Sequence, residues 1–177
     1  MKDRLFNPVV PRPDEQKEAA LLARLRNRLQ TGKNDLEYSL QISRDLERQP
    51  MIMQLYVERY VWTGEYNAAQ LDEILQLLLL TWLFHEQYYN MIFQPLTIAD
   101  FNRKLKEQEQ WAETHVGNDK ATDEYLRNYH PRVLLTNFVM MVGRPSEAMR
   151  FLPLQKRFNL QLTYMALTAC FQAQRKK

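Results

Sequence analysis

The chain is poor in the residues that build turns, staples and metal sites. Its 177 residues include four glycines, three histidines and one cysteine. A lone cysteine, Cys170, excludes an intrachain disulfide and suits a reducing compartment. Its neighbours Leu167 and Phe171 continue an apolar series, a setting that raises a thiol pKa and makes it a poor nucleophile. Sheet-rich folds need many turns, so scarce glycine alongside abundant Leu, Gln, Glu, Arg and Ala points to helices. Gly32, Gly64, Gly117 and Gly143 are isolated, which excludes a phosphate-cradling glycine loop, and no Gly-x-Ser-x-Gly turn is present. The histidines fall on separate segments, without Glu-x-x-His or His-x-x-x-His spacing. Glu113 and His115 stand two apart and point to different helix faces, while His130 precedes Pro131 at an expected bend. No catalytic residue, metal or cofactor is expected.

Long apolar runs are also missing. The amino terminus, MKDRLFNPVVPRPDE, turns polar before an apolar stretch of signal-peptide length develops, so the expected location is cytoplasmic. The strongest apolar segment, LQLLLLTWLFHEQYYNMIF, is uninterrupted only from Leu77 to Phe84, whereas a membrane span needs about 20 mostly apolar residues. Asp72 and Glu73 precede that core and His85 and Glu86 follow it, so a span is not expected.

What is present is helical periodicity. Residues 1–13, with Pro8, Pro11 and Pro13, read as an extended or disordered arm. One helical domain is expected over 14–174, followed by a basic tail at 175–177. Asp14 suits an N-cap, Leu21, Leu22, Leu25 and Leu29 form a stripe, and Gly32 suits the left-handed position beyond a helix end. A second helix is expected from Asn34 or Asp35 to Gln49, and a third from Pro50 toward Gly64. The fourth spans about 67–93 and closes at Pro95. The fifth has Thr97 as N-cap and runs to Gly117. Thr122 or Asp123 opens a sixth through Leu126 and Tyr129. VLLTNFVMMV, apolar nearly all round, reads as a central helix ended by Gly143, and a last helix covers about 154–174. The fold class is all-α, a single-domain bundle of about six to eight helices with a long one near 67–93.

On that long helix Leu71, Leu75, Leu78, Trp82, His85 and Tyr89 follow one face, and Leu79, Leu83, Glu86 and Asn90 a neighbouring one. Trp82, His85, Glu86 and Tyr89 are the candidate cavity or interaction residues. A histidine between two aromatics is either a core-margin group bonded to a carbonyl or hydroxyl, or a proton-transfer group lining a cavity. Charge is unevenly spread: residues 51–100 carry one basic and six acidic groups, and residues 151–177 five basic and none acidic. Candidate nucleic-acid contacts are Arg24 and Arg28 on one face, the cluster Arg103, Lys104 and Lys106, and the tail Arg175, Lys176 and Lys177. Glu107, Glu109 and Glu113 stand close enough to the middle cluster to neutralise it.

The segment Tyr60-Val-Trp-Thr-Gly64-Glu-Tyr66-Asn-Ala-Ala69 resembles the turn of a tetratricopeptide unit, and Gly143-Arg-Pro-Ser-Glu-Ala148 repeats its Gly-to-Ala spacing. The resemblance implies helical-repeat-like packing. The two glycines lie 79 apart, however, which is not a multiple of the roughly 34-residue period, and no matching unit lies between them. The function expected is a non-enzymatic protein–protein interaction or assembly module, with a partner protein or a second copy of itself. The alternative is a DNA- or RNA-associated accessory protein using the basic faces. Nine Tyr, eight Phe and three Trp favour the first, since Tyr and Trp are common interface anchors.

Overall fold

The computed structural model describes residues 13–115, 124–125 and 131–175. Among them are seven α-helices and no strand. They are α1 (Pro13–Thr31), α2 (Leu36–Leu46), α3 (Pro50–Tyr56), α4 (Ala68–Tyr89), α5 (Ile98–His115), α6 (Arg132–Gly143) and α7 (Leu154–Arg175). Helix α4 is the axis of the bundle, packed against α1, α3 and α7, while α5 lies on α7 and α6 on both α1 and α7. The core is one main cluster in which Ile74, Leu78, Trp82 and Phe84 of α4 meet Tyr164, Leu167 and Phe171 of α7, all wholly buried. Residues 1–12 of the arm expected at 1–13, with Gly117, Thr122, Asp123, Leu126, Tyr129, His130, Lys176 and Lys177, lie outside the described residues, while Pro13 belongs to α1.

Local chemistry fixes several boundaries where expected. Asp35 caps α2, its side chain accepting from the amides of Glu37 and Tyr38 at 3.0 and 3.3 Å. Pro50 occupies the first turn of α3, where no amide proton is needed. Thr97 caps α5 by accepting from Asp100 N at 3.1 Å. Asn67 and Gln70 form a reciprocal capping box on α4.

Other boundaries differ from the sequence expectation. Asp14 lies inside the first turn of α1, which begins at Pro13; as an acidic residue there it still favours the helix dipole. Helix α2 stops at Leu46 instead of Gln49. Helix α4 ends at Tyr89, four residues early, because Asn90 adopts a left-handed conformation (φ 48°) and Met91 N donates to Glu86 O at 3.1 Å. Gly32 does not take the left-handed position. It opens a short 3₁₀ turn, and the Tyr38 ring lies where its Cβ would be, 1.8 Å from the nearest ring carbon. Gly64 is the glycine that needs its freedom, at φ 65°.

The third helix also departs from simple periodicity. Met51, Ile52 and Leu55 are buried, and the next buried residue is Tyr60. A step of five residues turns roughly 500° on an α-helix and would leave Tyr60 roughly 140° off the buried face. The backbone instead widens into a π-turn over Val57–Val61, with Trp62 N donating to Val57 O at 3.0 Å. Tyr60 thereby points inward and its hydroxyl donates to Thr163 Oγ1 on α7 at 3.0 Å.

Two buried side chains replace missing backbone partners. Gln49, wholly buried, donates from Nε2 to the carbonyls of Phe93 and Gln94 (3.2 and 3.1 Å) and accepts from Leu96 N (3.0 Å). The extended link from α4 to α5 thus hydrogen-bonds to a side chain as it would to a neighbouring strand. Gln174 binds the same link from the other side, accepting from Gln94 N and donating to Gln94 O. Glu18 of α1, also buried, accepts from Val133 N at 2.8 Å and so supplies an anion to the amino end of α6.

Candidate functional site

His85 sits in the core, in contact with Phe171, Phe84 and Tyr89 at ring separations of 5.3, 6.1 and 6.0 Å. Its Nδ1 lies 2.6 Å from the Thr81 carbonyl, which assigns the proton to Nδ1. Nε2 has no hydrogen-bonding partner. Burial lowers the imidazole pKa from 6.5 to about 4, against an opposing contribution from the Thr81 bond, so the ring is neutral near pH 7. Trp82 is equally buried, and the Arg48 guanidinium lies 5.4 Å from its ring centroid. Arg48 also donates to both oxygens of Glu86 (3.3 and 3.2 Å) and to Asp45 (3.2 Å). Tyr89 is half-buried, with the Arg175 guanidinium 4.4 Å from its ring centroid. The four residues therefore form a continuous α4 stripe, aromatic inside and ion-paired at its edge, and none of them lines the three main cavities.

Most of the described basic candidates are held by neighbouring side chains. Arg24 bonds Gln87 at 3.1 Å, and Arg28 bonds Gln41 at 3.2 Å and covers the Tyr38 ring. On α5, Arg103 pairs with Asp100 and Glu107, and Lys104 with Glu107 at 2.6 Å. Lys106 is exposed. Within hydrogen-bonding reach, the cluster's charge is largely matched by its own acids.

The chemistry of nucleophiles is muted. Burial, with a smaller contribution from Asp100, pushes the Cys170 thiol up to about 12, so it stays protonated near neutral pH. Among the described residues no group of three or more His, Cys, Asp or Glu side chains is placed to hold a metal ion. None of the described helices is long and apolar enough to cross a membrane.

The features best suited to recognition lie at the end of the bundle where α4 begins. Trp62 is 73% exposed, Phe151 79% and Leu154 63%. The two segments that carry them are tied together: Lys156 pairs with Glu65 at 2.9 Å and lies over the Tyr66 ring, and Gln70 Nε2 donates to the Ala148 carbonyl at 3.3 Å. Tyr66 in turn meets Tyr60 edge-on at 5.6 Å. The loop bearing Ala148 also walls a groove of about 540 Å³ between α1, α4 and α6. Leu77, Leu80, Phe138 and Met141 floor that groove, and Arg26, Asp72, Glu73 and Arg144 stand on its rim. Arg26 donates to Asn137 Oδ1 at 2.9 Å, and Ser146 donates to Glu73 at 2.6 Å.

Sequence reasoning singles out the turns at Tyr60–Ala69 and Gly143–Ala148 that meet at this end, but not the exposure of Trp62, Phe151 and Leu154 beside them. A tryptophan after a helix and a Phe-Leu pair within a proline-interrupted loop carry no periodic signal. The available clue is negative: Trp62, Phe151 and Leu154 fit no predicted core stripe. No protein-family model matches the chain, and no significant match was found among curated proteins or solved structures.

Proposed function

We propose that this chain is a non-enzymatic helical interaction or assembly module, working through the end of the bundle that presents Trp62, Phe151 and Leu154. The observation that carries this reading is the exposure of three large apolar side chains on segments held together by the Lys156–Glu65 pair. Exposed apolar residues scattered singly are ordinary; collected on ordered, cross-tied segments they suit partner burial. Tryptophan and its aromatic neighbours are the side chains that most often dominate binding energy at interfaces.

The test compares the native mass of the tagged protein, in extracts of its own source, with that of the Trp62→Ser/Phe151→Ser variant. The expected result is a wild-type assembly well above the 21.3 kDa monomer and a clear loss of mass in the variant. Both substitutions are at exposed positions, so circular dichroism should show an intact fold. An assembly unchanged by the substitutions, or a wild-type chain that is monomeric in its own extract, refutes the proposal. The basic-face alternative is checked by a mobility-shift titration against generic duplex at two salt concentrations.

A further inference from the structure

The groove rim has a charge arrangement that points to one occupant. Arg144, on the α6–α7 loop, is exposed and makes no ion pair among the described residues, and Arg26 of α1 bonds only the neutral amide of Asn137. The α4 wall carries the opposite sign, with Asp72 exposed and accepting from Gln76 Nε2 at 3.0 Å, and Glu73 accepting from Ser146 at 2.6 Å. The rim is thus neutral in sum and divided in sign. A uniformly acidic or basic partner would gain on one wall and lose on the other.

A two-fold interface makes a different demand: the same patch must match itself after a half-turn. A groove with cations on α1 and the α6–α7 loop and anions on α4 meets that demand, because Arg144 of each copy then approaches Asp72 and Glu73 of its mate. The apolar component follows the same symmetry. Met140, 43% exposed on the groove lip, is unbranched and adaptable, and can seat over the mate's floor of Leu77, Phe138 and Met141. We infer that the groove is half of a two-fold symmetric interface whose occupant is a second copy of this chain. This deepens the assembly reading and rests on it.

Sedimentation velocity of the purified full chain over a wide concentration range tests the inference. The expected behaviour is a reversible step from 21.3 kDa to twice that mass, weakened by added salt. Arg144→Glu and Asp72→Arg should each raise the dimer dissociation constant by about tenfold or more, since each sets like charges opposite one another. Mixing the two variants should restore association. The carboxylate introduced in one copy then meets the guanidinium introduced in the other, and the second, symmetry-related contact stays native. Circular dichroism confirms that both surface variants are folded. A purified chain that stays monomeric, a dimer indifferent to either variant, or a mixture that fails to re-associate overturns the two-fold model. A monomeric purified chain whose assembly in extract still depends on Trp62 and Phe151 would sink this inference alone and leave the proposed function standing.

Discussion

Replacing Gln49 should damage the fold far more than its polarity suggests. The side chain makes three hydrogen bonds in a wholly buried position, to Phe93 O, Gln94 O and Leu96 N. In Gln49→Ala the Gln94 carbonyl keeps Gln174, but the Phe93 carbonyl and the Leu96 amide lose the partner Gln49 supplied. Each buried group left unpaired costs about 1–3 kcal/mol, so the expected loss is about 2–6 kcal/mol before any cavity cost. Gln49→Glu is the sharper probe. Its carboxylate still accepts from Leu96 N, yet it sets negative charge against two carbonyl oxygens in a buried site. The neutral acid can donate to one of them, so the folded-state pKa is raised above the ordinary value of about 4.3. The variant should therefore approach wild-type stability below about pH 4 and lose ground as pH rises through the folded-state pKa. Urea unfolding monitored by circular dichroism, with wild type run at each pH, reads the difference directly. A Gln49→Ala loss under about 1 kcal/mol, or a Gln49→Glu difference flat in pH, would refute the claim that this side chain completes the α4–α5 link.

Three further outcomes are expected. Trp82→Ala should cost about 3–5 kcal/mol in denaturant unfolding, the range for a large buried aromatic, and a nearly neutral result would mean α4 is not packed as described. The lowered His85 pKa means the unfolded chain binds a proton that the folded chain refuses between about pH 6.5 and about pH 4. Stability should fall across that window as pH drops, by at most about 3 kcal/mol, and His85→Gln should abolish this part of the pH dependence at a cost of about 1 kcal/mol at neutral pH. Two of the glycines read as helix stops, Gly32 and Gly143, should respond oppositely. Gly32→Ala must displace the Tyr38 ring and should lower the melting temperature, whereas a Cβ at Gly143 meets nothing within 4 Å, so Gly143→Ala should be neutral or stabilising by up to about 1 kcal/mol.

These residues also show what a sequence makes legible. Strong periodicity at Leu71, Leu75, Leu78, Trp82 and His85 announces a long buried helix, because burial repeats with the helical turn. Caps such as Asp35 and Thr97 announce boundaries, because their oxygens satisfy amides a few residues away. The role of Gln49 is invisible by the same standard: its partners lie 44 to 47 positions later and no local pattern demands an amide there. Gly32 misleads for a related reason, since its purpose is space for a ring six residues on rather than backbone freedom. The candidate residues on α4 are legible by pattern, and the pattern belongs to the core. The groove is not, since its walls come from α1, α4 and α6 and the charges on its rim gain meaning only when those helices converge.

The π-turn at Val57–Val61 has a consequence for which changes this segment can absorb. The inward Tyr60 hydroxyl and the outward Trp62 indole are two residues apart on one widened turn, so they are geared: fixing the azimuth of one fixes the other. Substitutions at Glu58 or Arg59 leave that gearing untouched. Removing one residue would return the segment to ordinary helix in nearly the same phase, whereas inserting one would rotate the downstream residues by about 100°. Either Tyr60 would leave Thr163, or Trp62 would face a different direction. The stretch is thus constrained against lengthening more than in composition, and lineages that keep the exposed indole should show many replacements and even a one-residue deletion here, but no insertion.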